Sequence, residues 1–510
     1  RPNEGWIKYN RHGGGGNLDP LAVEGMLVTA FNSNSGLRVV GHNVNFDLLF
    51  AHARGVEVSG PLEDTQINAF LLDERRPSFA LDACCRDAGV QEKKGDTLYA
   101  YLASKFGGQP TKNQMGSFWR LAGDDPQAVD YATGDGTSTW QLWESQQTPL
   151  DDQDLRGIWG VECRTIRALH RMMWRGMKVD EERLAQVIRI VETELKDARW
   201  KLPPEFNERA PSQVKKYFED AGVASWPITE RGNPSFPEEW LTTTEPGRLI
   251  VSARKLHHLL DSFLIPLRDR HLWKGRVHTT YNQTRGEEFG TVTGRLSSNN
   301  PNLQQIHKRN ENLGILFRSI FVPDDGMKWG SADYNQIEPR LLAHYSNCQV
   351  LLNGYRTIPP IDAHEAVARA AGIDRQSGKR LNQALITGAG NRKAAEMLGR
   401  PMGEAMQMVD AYFASMPEIK RLQRRATEVY SARGWVRSLG GRRARLDDRR
   451  FAYKAVNRLL QCSNADILKK AMADVDEYLM NEGGQTHLIN NVHDALDFQF
   501  PSDHPDQYER

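Results

Sequence analysis

The stretch NNVHDALDFQF (490–500) predicts two β-strands joined by a tight turn. Its apolar residues are mostly two apart, which is the spacing of one strand face. These residues are Val492, Leu496, Phe498 and Phe500. His493 and Asp494 fall where the chain must reverse. Two interpretations are open: Asp494 is an ordinary turn former, or the turn presents a carboxylate for chemistry.

A second carboxylate lies at another predicted strand end. The stretch SADYNQIEPRLLAHYS (331–346) begins as a strand and becomes a helix, with Asp333 at the corner. A side chain at such a corner is exposed and held by rigid elements. Asp333 and Asp494 together suit two divalent cations, because Mg²⁺ binds a few carboxylates plus substrate phosphates. The alternative is a helix-capping Asp333 and a turn Asp494.

A basic helix is predicted to begin near Asp374. Spacing by four puts three polar residues on one face: Arg375, Lys379 and Gln383. With His364 a few turns earlier, they form a cationic row suited to a triphosphate, which Arg grips bidentately. Gly388 and Gly390 then indicate either a functional break or a simple loop.

Composition narrows the class of protein. The chain has 510 residues, which suggests about three domains, and its 39% hydrophobic and 26% charged residues are typical of globular proteins. No apolar run reaches membrane-spanning length, and the N-terminus has no apolar signal core. The five Cys form no CxxC pairs, so we expect neither zinc nor a disulfide framework, and a reducing compartment.

The net charge of +1 favours no particular partner, but the local clusters of basic residues are more informative. Three segments are basic: GRRARLDDRR (441–450), HKR (307–309) and RQSGKR (375–380). Each is either a solvated face or part of a surface for a phosphate backbone.

Patterning predicts alternating helical and strand-rich segments. Residues 1–150 have an α/β pattern. Helices are expected at about 155–200, with a turn at 174–180, and at 247–267, 361–432 and 453–479, and strands from 283 to 333 and near 434–443.

At these residues the sequence resembles the family A DNA polymerases, which include bacterial DNA polymerase I and many phage replicases. ADYNQIEPR is similar to the first palm motif (DYSQIELR), RQSGKRLNQALITG to the fingers helix (RxxxKxxxFxxxYG), and VHDA to the second palm motif (VHDE). TGRLSSNNPNLQQI resembles the primer-template strand, VNRLLQCSNADILKKAM the minor-groove helix, and MMWRGMKVD the opening of the polymerase domain. The spacing from His364 to Arg375 looks phage-like.

The N-terminal part resembles the family's proofreading exonuclease domain. NVNFD (43–47), ending in Asp47, is similar to its second motif, and YATGD (131–135), with Tyr131 and Asp135, to its third. The first motif, DxE, would lie upstream of residue 1, and the family's palm continues further after VHDE than this chain does. We therefore expect a fragment open at both ends, with an exonuclease inactive as given.

The resemblance implies an α/β and α+β multidomain fold, in which a partial RNase H-like 3′–5′ exonuclease domain precedes a right-hand polymerase. The expected boundaries are 1–150 for the exonuclease-like domain, 151–280 for thumb and linker, 281–345 for the first palm part, 346–433 for the fingers and 434–510 for the second palm part. The implied activity is template-directed DNA synthesis in replication by a DNA-directed DNA polymerase.

The resemblance also implies roles for individual residues. Asp333 and Asp494 would be catalytic and bind two Mg²⁺ ions, with Mn²⁺ as an alternative. The implied dNTP-binding residues are His364, Arg375, Lys379, Gln383, Thr387, Gln336 and Glu338, the last as the steric gate against a ribose 2′-hydroxyl. The implied primer-template residues are Arg295, Asn457, Gln461 and His493. The implied partners are a DNA primer-template, dNTPs and an optional processivity factor, and no membrane contact is expected. The resemblance further implies a monomer that is encoded by a phage and located in the bacterial cytoplasm.

Four positions depart from the family pattern. Ala495 replaces the Glu of VHDE, and Asp497, two residues along the strand, is not expected to reach the metals. Gln383 and Thr387 replace aromatic residues of the fingers helix, which weakens stacking on the incoming nucleotide. Pro339 fits only the first turn of a helix.

Two other functions are open. One is a nuclease that uses a polymerase-like body for binding, and the other is a non-enzymatic primer-template binder with decayed fingers. The presence of both Asp333 and Asp494 argues against each.

Overall fold

The computed structural model describes residues 19–32, 36–92, 95–229, 231–284, 291–305, 311–360, 362–386, 390–446 and 448–503. The chain divides into two units. The larger takes in 1–174, 281–298 and 330–500, and the smaller 175–280, 299–329 and 501–510. The five predicted domain ranges stay predictions.

The N-terminal part of the larger unit is mostly helical and contains one parallel strand pair. Its elements are α1 (Pro20–Asn32), β1 (Val39–Gly41), α2 (Val44–Ala53), β2 (Leu62–Asp64), α3 (Thr65–Leu72), α4 (Leu81–Ala88), α5 (Gly95–Phe106), a 3₁₀ segment (Lys112–Arg120), α6 (Pro126–Asp152) and α7 (Arg156–Arg175). β1 and β2 pair with Val39 opposite Leu62. Asp64 ends β2 and caps α3, because its carboxylate accepts hydrogen bonds from the amides of Gln66 and Ile67.

The described residues of the C-terminal part of the larger unit form eight α-helices and a three-stranded sheet, together with short strand pairs. Its elements are β6 (Thr280–Asn282), β7 (Ser297–Asn299), β9 (Met327–Asp333), α13 (Ile337–Ser346), α14 (Gln349–Arg356), α15 (Ala363–Ala371), α16 (Arg375–Ile386), α17 (Asn391–Leu398), α18 (Met402–Ser415), α19 (Pro417–Arg433), β10 (Val436–Arg437), β11 (Arg443–Ala444), a 3₁₀ segment (Arg449–Lys454), α20 (Ala455–Asn481), β12 (His487–Val492) and β13 (Ala495–Pro501). The sheet order is β12-β13-β9. One hydrophobic core includes buried residues from Ile337 of α13 to Cys462 of α20, and helices α15 to α19 contribute to it.

The smaller unit combines helices with an antiparallel sheet of order β4-β5-β3-β8. Its elements are β3 (Met177–Val179), α8 (Glu181–Trp200), α9 (Pro211–Asp220), α10 (Glu238–Leu241), α11 (Glu245–Leu259), two π-helical turns (Leu260–Leu264 and Leu267–His271), β4 (Leu272–Trp273), β5 (Arg276–Val277), a 3₁₀ turn (Leu303–Gln305), α12 (Glu311–Arg318) and β8 (Phe321–Val322). α8 begins after Asp180, whose carboxylate accepts a hydrogen bond from the Arg183 amide.

Most of the predicted elements are confirmed. The helices on either side of the turn at 174–180, the helices at 361–432 and the C-terminal hairpin lie where the pattern put them. Strand character from 283 to 333 is wrong in part, because α12 lies between β7 and β8. The apolar residues of α12 recur at a helical period, and the short strands on either side hide this period in the sequence pattern. In the part of the chain that the structure describes, no helix is long and apolar enough to cross a membrane.

Candidate active site

The C-terminal hairpin has a two-residue turn. Val492 of β12 faces Ala495 of β13, so His493 and Asp494 alone connect the strands. His493 has a φ of 55° and an exposed side chain, and Asp494 is half-buried. The turn therefore holds Asp494 between two hydrogen-bonded strands.

The two predicted catalytic carboxylates lie at the same end of the sheet. β9 is the neighbour of β13 and ends at Asp333. The amide of the next residue, Tyr334, donates to the carbonyl oxygen of Asp494 over 3.2 Å. Asp333 is exposed. Its capping interpretation is wrong, because the N-cap position of α13 is occupied by Gln336, which has a φ of 57° and makes no side-chain capping hydrogen bond.

Asn464 is a site residue that the sequence interpretation missed. It lies on α20 and is 1% exposed. Its Nδ2 donates to Asp494 Oδ1 over 2.8 Å, while its own Oδ1 has no hydrogen-bond partner among the described residues. The signal was present in the spacing, because Asn464 follows Gln461 by three and Asn457 by seven on a helix.

Asn457 and Gln461 share this helix face and are half-buried. Because Asn464 on the same face contacts Asp494, α20 turns the two predicted primer-template side chains toward the same end of the sheet. Their contacts with DNA stay predictions.

Ala495 and Asp497 are buried beside the turn. Asp497 Oδ2 accepts a hydrogen bond from Asn490 Nδ2 over 3.0 Å, and Asn490 Oδ1 accepts one from the Tyr281 hydroxyl over 2.6 Å. Burial raises the pKa of Tyr281, so this hydroxyl stays a proton donor. Asp497 thus belongs to a buried hydrogen-bond chain. In the described residues no group of three or more His, Cys, Asp or Glu could hold a metal ion.

Glu338 and Arg295 form an ion pair. Arg295 Nη2 lies 2.6 Å from Glu338 Oε1, and both side chains are about one-third exposed. Glu338 is in the first turn of α13, together with Pro339, which confirms the expected place of this proline. Sequence reasoning gave Glu338 and Arg295 separate roles, so their pairing is new.

Gln336 links the Asp333 corner to α15. Its Oε1 accepts from the Ala363 amide over 2.9 Å, and its Nε2 donates to Asp362 Oδ2 over 2.9 Å. Asp362, which sequence reasoning also missed, caps α15 and pairs with Arg375 Nη2 over 2.9 Å.

The predicted cationic row is divided between two helices. Arg375, Lys379 and Gln383 lie on α16 with exposed side chains, as their spacing predicted. His364 lies on the separate helix α15, which ends at Gly372. Burial lowers the pKa of His364; the Asp362 carboxylate opposes this and Lys379 and Arg375 add to it, so the imidazole is neutral near pH 7. Thr387 lies outside the described residues.

The predicted exonuclease residues lie in the N-terminal part. Asp47 is on α2, and Tyr131 and Asp135 are one turn apart on α6. Partial burial and the carboxylates of Asp64 and Asp135 raise the pKa of Asp47. Tyr131 is buried against Phe118, with ring centroids 5.7 Å apart.

The basic cluster 441–450 is partly buried. Arg442 pairs with Glu162 and Asp466, and Arg445 pairs with Glu74, so these two guanidinium groups serve the interior. For Arg442 and Arg445, both interpretations, a solvated face and a surface for a phosphate backbone, are therefore wrong. Their guanidinium groups can be buried because each is paired with carboxylates. The cluster 307–309 lies outside the described residues.

Comparison with known proteins identifies the protein family to which the chain is similar. A model of DNA polymerase family A matches residues 177–510. DNA polymerase DpoZ of Acinetobacter phage SH-Ab 15497 is 30% identical over 91% of this chain and 82% of its own length. DNA polymerase I of Chloroflexus aurantiacus is 30% identical over 94% of this chain and 52% of its own length.

A solved structure shares the fold. The POL domain of Pol1 from M. smegmatis, in complex with DNA primer-template and dNTP, superposes with a TM-score of 0.80 at 24% identity, over 97% of this chain and 84% of that one. The chain belongs to DNA polymerase family A, as its motifs predicted. Its activity is that of a DNA-directed DNA polymerase. A processivity factor, a monomeric state and a cytoplasmic location stay predictions.

Proposed function

We propose that this chain extends a DNA primer by transferring a nucleotidyl group from a dNTP to the primer 3′-hydroxyl, with release of pyrophosphate. Asp333 and Asp494 are the catalytic carboxylates. The observation that carries the proposal is the hydrogen bond from the Tyr334 amide to the Asp494 carbonyl, since it joins the two strand ends that bear them. The bound primer-template and dNTP of the mycobacterial neighbour support the choice of substrates.

Asp333 and Asp494 would hold two Mg²⁺ or Mn²⁺ ions. When bound, these ions supply positive charge that activates the attacking hydroxyl and stabilises the leaving phosphate. The donor set fits hard cations, because two carboxylates on rigid strand ends leave the remaining positions to water and nucleotide phosphates. The bond from Asn464 to Asp494 Oδ1 orients one of these carboxylates.

The α15–α16 pair would bind the nucleotide. Arg375 and Lys379 neutralise triphosphate charge, and the neutral His364 donates a hydrogen bond to it. Glu338 blocks a ribose 2′-hydroxyl, and Arg295 holds its carboxylate in place. The remaining nucleotide contacts are assigned to Gln336, Gln383 and Thr387.

The primer terminus and nascent base pair would meet a second group of side chains. Minor-groove acceptors are nearly the same for every correct pair, so contacts to them test shape without reading sequence. Side chains with suitable donors are Arg295, Asn457, Gln461 and His493.

The test is extension of a labelled primer on a DNA template with Mg²⁺, comparing deoxy- and ribonucleotides. We expect Asp333→Asn and Asp494→Asn each to abolish extension while primer-template affinity is retained. Asp497→Asn is the matched control, because this carboxylate on the same hairpin is engaged by Asn490. Undiminished extension by Asp494→Asn would contradict the assignment.

A second proposal concerns residues 1–150, for which we infer a 3′–5′ exonuclease-type site at Asp47, Tyr131 and Asp135 that is inactive in the chain as given. It is supported by the nearness of Asp135 to Asp47: partial burial and the charge of Asp64 raise the pKa of Asp47, and the charge of Asp135 adds to this. The test is shortening of a labelled single-stranded DNA with Mg²⁺ and no dNTP. We expect no shortening by this chain. Shortening that disappears in Asp47→Asn and persists in Asp333→Asn would contradict the expected inactivity, and shortening that survives Asp47→Asn would contradict the site.

A further inference from the structure

Asp362 uses its two carboxylate oxygens for different purposes. Oδ1 accepts from the amides of His364 over 2.8 Å and Glu365 over 3.1 Å, which caps the first turn of α15. Oδ2 accepts from Arg375 Nη2 and from Gln336 Nε2, each over 2.9 Å. The capping function and the contact with Arg375 therefore rest on separate atoms.

The ion pair between Asp362 and Arg375 is accessible. The Arg375 side chain is 53% exposed and that of Asp362 is 30% exposed. By contrast, the Arg442 side chain is 3% exposed and those of its partners are at most 2% exposed. Exposed pairs contribute little stability, so a competing anion replaces them at low cost.

Because of Gln336, Asp362 would keep a hydrogen-bond donor at each carboxylate oxygen if another anion replaced it as the partner of Arg375. If Arg375 leaves Asp362, Oδ2 still accepts from Gln336 Nε2, and Oδ1 keeps both capping bonds. Among the described residues, the interaction that Asp362 then loses is the ion pair with Arg375. Arg375 could then present its guanidinium to another anion, since carboxylate and phosphate use the same N–H donors.

We propose that Asp362 is an internal competitor for the guanidinium of Arg375, which the triphosphate of the incoming nucleotide displaces, and that Asp362 thereby sets nucleotide affinity. This inference rests on the proposed nucleotide-binding function of Arg375. A triphosphate carries several negative charges against the single charge of Asp362, so the exchange favours the nucleotide. Asp362 acts through Arg375 and is a positioning residue.

A purely supporting role of Asp362 makes the opposite prediction. If the carboxylate only orients Arg375 for phosphate, its neutralisation weakens nucleotide binding. If it competes with phosphate, neutralisation strengthens binding. The sign of the change in nucleotide affinity therefore separates the two roles.

The test is the equilibrium Kd of a correctly paired dNTP on the enzyme with a dideoxy-terminated primer-template in Mg²⁺, so that no reaction follows. Asp362→Asn keeps an oxygen for the cap and removes the charge. We expect its Kd to fall about two- to fivefold, the equivalent of one exposed ion pair. The gain should shrink at high salt, because exposed charges are screened.

Three further variants make the result decisive. In an Arg375→Gln background, Asp362→Asn should have no effect on Kd. Asp125→Asn is the matched control, because Asp125 caps α6 through Oδ1 and holds Lys105 through Oδ2 without involving α15 or α16; its Kd should not change. Asp362→Ser, which also keeps a capping oxygen, repeats the test in case the Asn variant folds poorly.

The outcomes are distinguishable. If Arg375→Gln leaves Kd unchanged, the nucleotide-binding role of Arg375 fails and this inference fails with it. If Arg375→Gln weakens binding but Asp362→Asn leaves it unchanged or weaker, the proposed function stands and the competition is overturned. Tighter binding by Asp362→Asn that persists without Arg375 also overturns it.

Discussion

The Nδ2 atom of Asn464 donates a hydrogen bond to Oδ1 of Asp494 over 2.8 Å. The donor is 1% exposed and fixed within α20, whereas the acceptor is in a two-residue turn. A buried helix thereby orients a carboxylate that the hairpin alone would leave free to rotate.

The first prediction concerns this bond. Asn464→Ala should reduce single-nucleotide incorporation about tenfold and raise the Mg²⁺ concentration needed for half-maximal rate, the usual result of losing a partner of a metal-binding carboxylate. The control is Asn481→Ala, at the exposed end of the same helix. Equal Mg²⁺ dependence in both variants would show that the bond does not orient Asp494.

The second prediction concerns the buried charges around Glu162. Lys469 Nζ lies 2.8 Å from Glu162 Oε1, and both side chains are 1% exposed. Lys469→Met leaves this carboxylate short of positive charge and should lower the free energy of unfolding by about 3 kcal/mol.

The neighbouring residue supplies the control. Lys470 pairs with Asp474 on the same helix, with side chains 62% and 42% exposed. Lys470→Met should lower the free energy of unfolding by less than about 1 kcal/mol, as measured by denaturant titration. Similar losses in the two variants would mean that burial does not decide the strength of these pairs.

The third prediction concerns pH. His170 Nε2 lies 3.0 Å from His52 Nδ1, and burial, then the charges of His52, Arg171 and Arg167, lower the pKa of His170 to about 4. In the unfolded chain a His titrates at about 6.5, so between these values the unfolded state binds more protons. Stability should therefore fall as the pH drops from about 6.5 to about 4, by up to about 3 kcal/mol.

The variant His170→Gln tests this linkage. It keeps a polar atom near His52 and cannot titrate, so its Tm should depend less steeply on pH over that range. His344→Gln, which removes an exposed imidazole, should keep the parent slope. A parent slope in His170→Gln would assign the acid sensitivity to other groups.

The fourth prediction concerns Gly330 in β9. A Cβ at this position would lie 2.5 Å from a ring carbon of Phe498 on β13. Gly330→Ala should displace β9, which ends at Asp333, and lower both Tm and the rate of extension, at a cost of about 1–3 kcal/mol in stability. Gly160→Ala is the comparison, because a Cβ there meets nothing within 4 Å and Ala favours its helix. If Gly330→Ala behaves like Gly160→Ala, the sheet accommodates the methyl group.

Local pattern predicted the elements that carry the site. Period-two alternation placed the hairpin around Asp494, and the change from strand to helix placed Asp333 at its corner. Spacing by four placed Arg375 and Lys379 on one helix face. Each of these predictions uses residues close together in the chain, where geometry follows from the period of the element.

The partners of those residues depend on long-range packing. Asp362 contacts Gln336 across 26 positions, and Asn464 contacts Asp494 across 30. Arg442 is paired with Glu162 across 280 positions, so an Arg-rich segment whose composition predicts an exposed surface is partly buried. Gly372 separates His364 from the helix of Arg375, and only the tertiary structure shows that the charge of Arg375 still helps to lower the pKa of His364.

The two-residue turn between β12 and β13 also bears on how this hairpin can diverge between genes. With Val492 opposite Ala495, one residue inserted between them would lengthen the turn and move the Asp494 carbonyl away from the Tyr334 amide, which donates to it. Replacement of a single side chain, such as Ala495 in place of the usual Glu, leaves that hydrogen bond intact. Sequence drift at this turn is therefore confined to substitution, and gaps in an alignment of homologues should fall elsewhere.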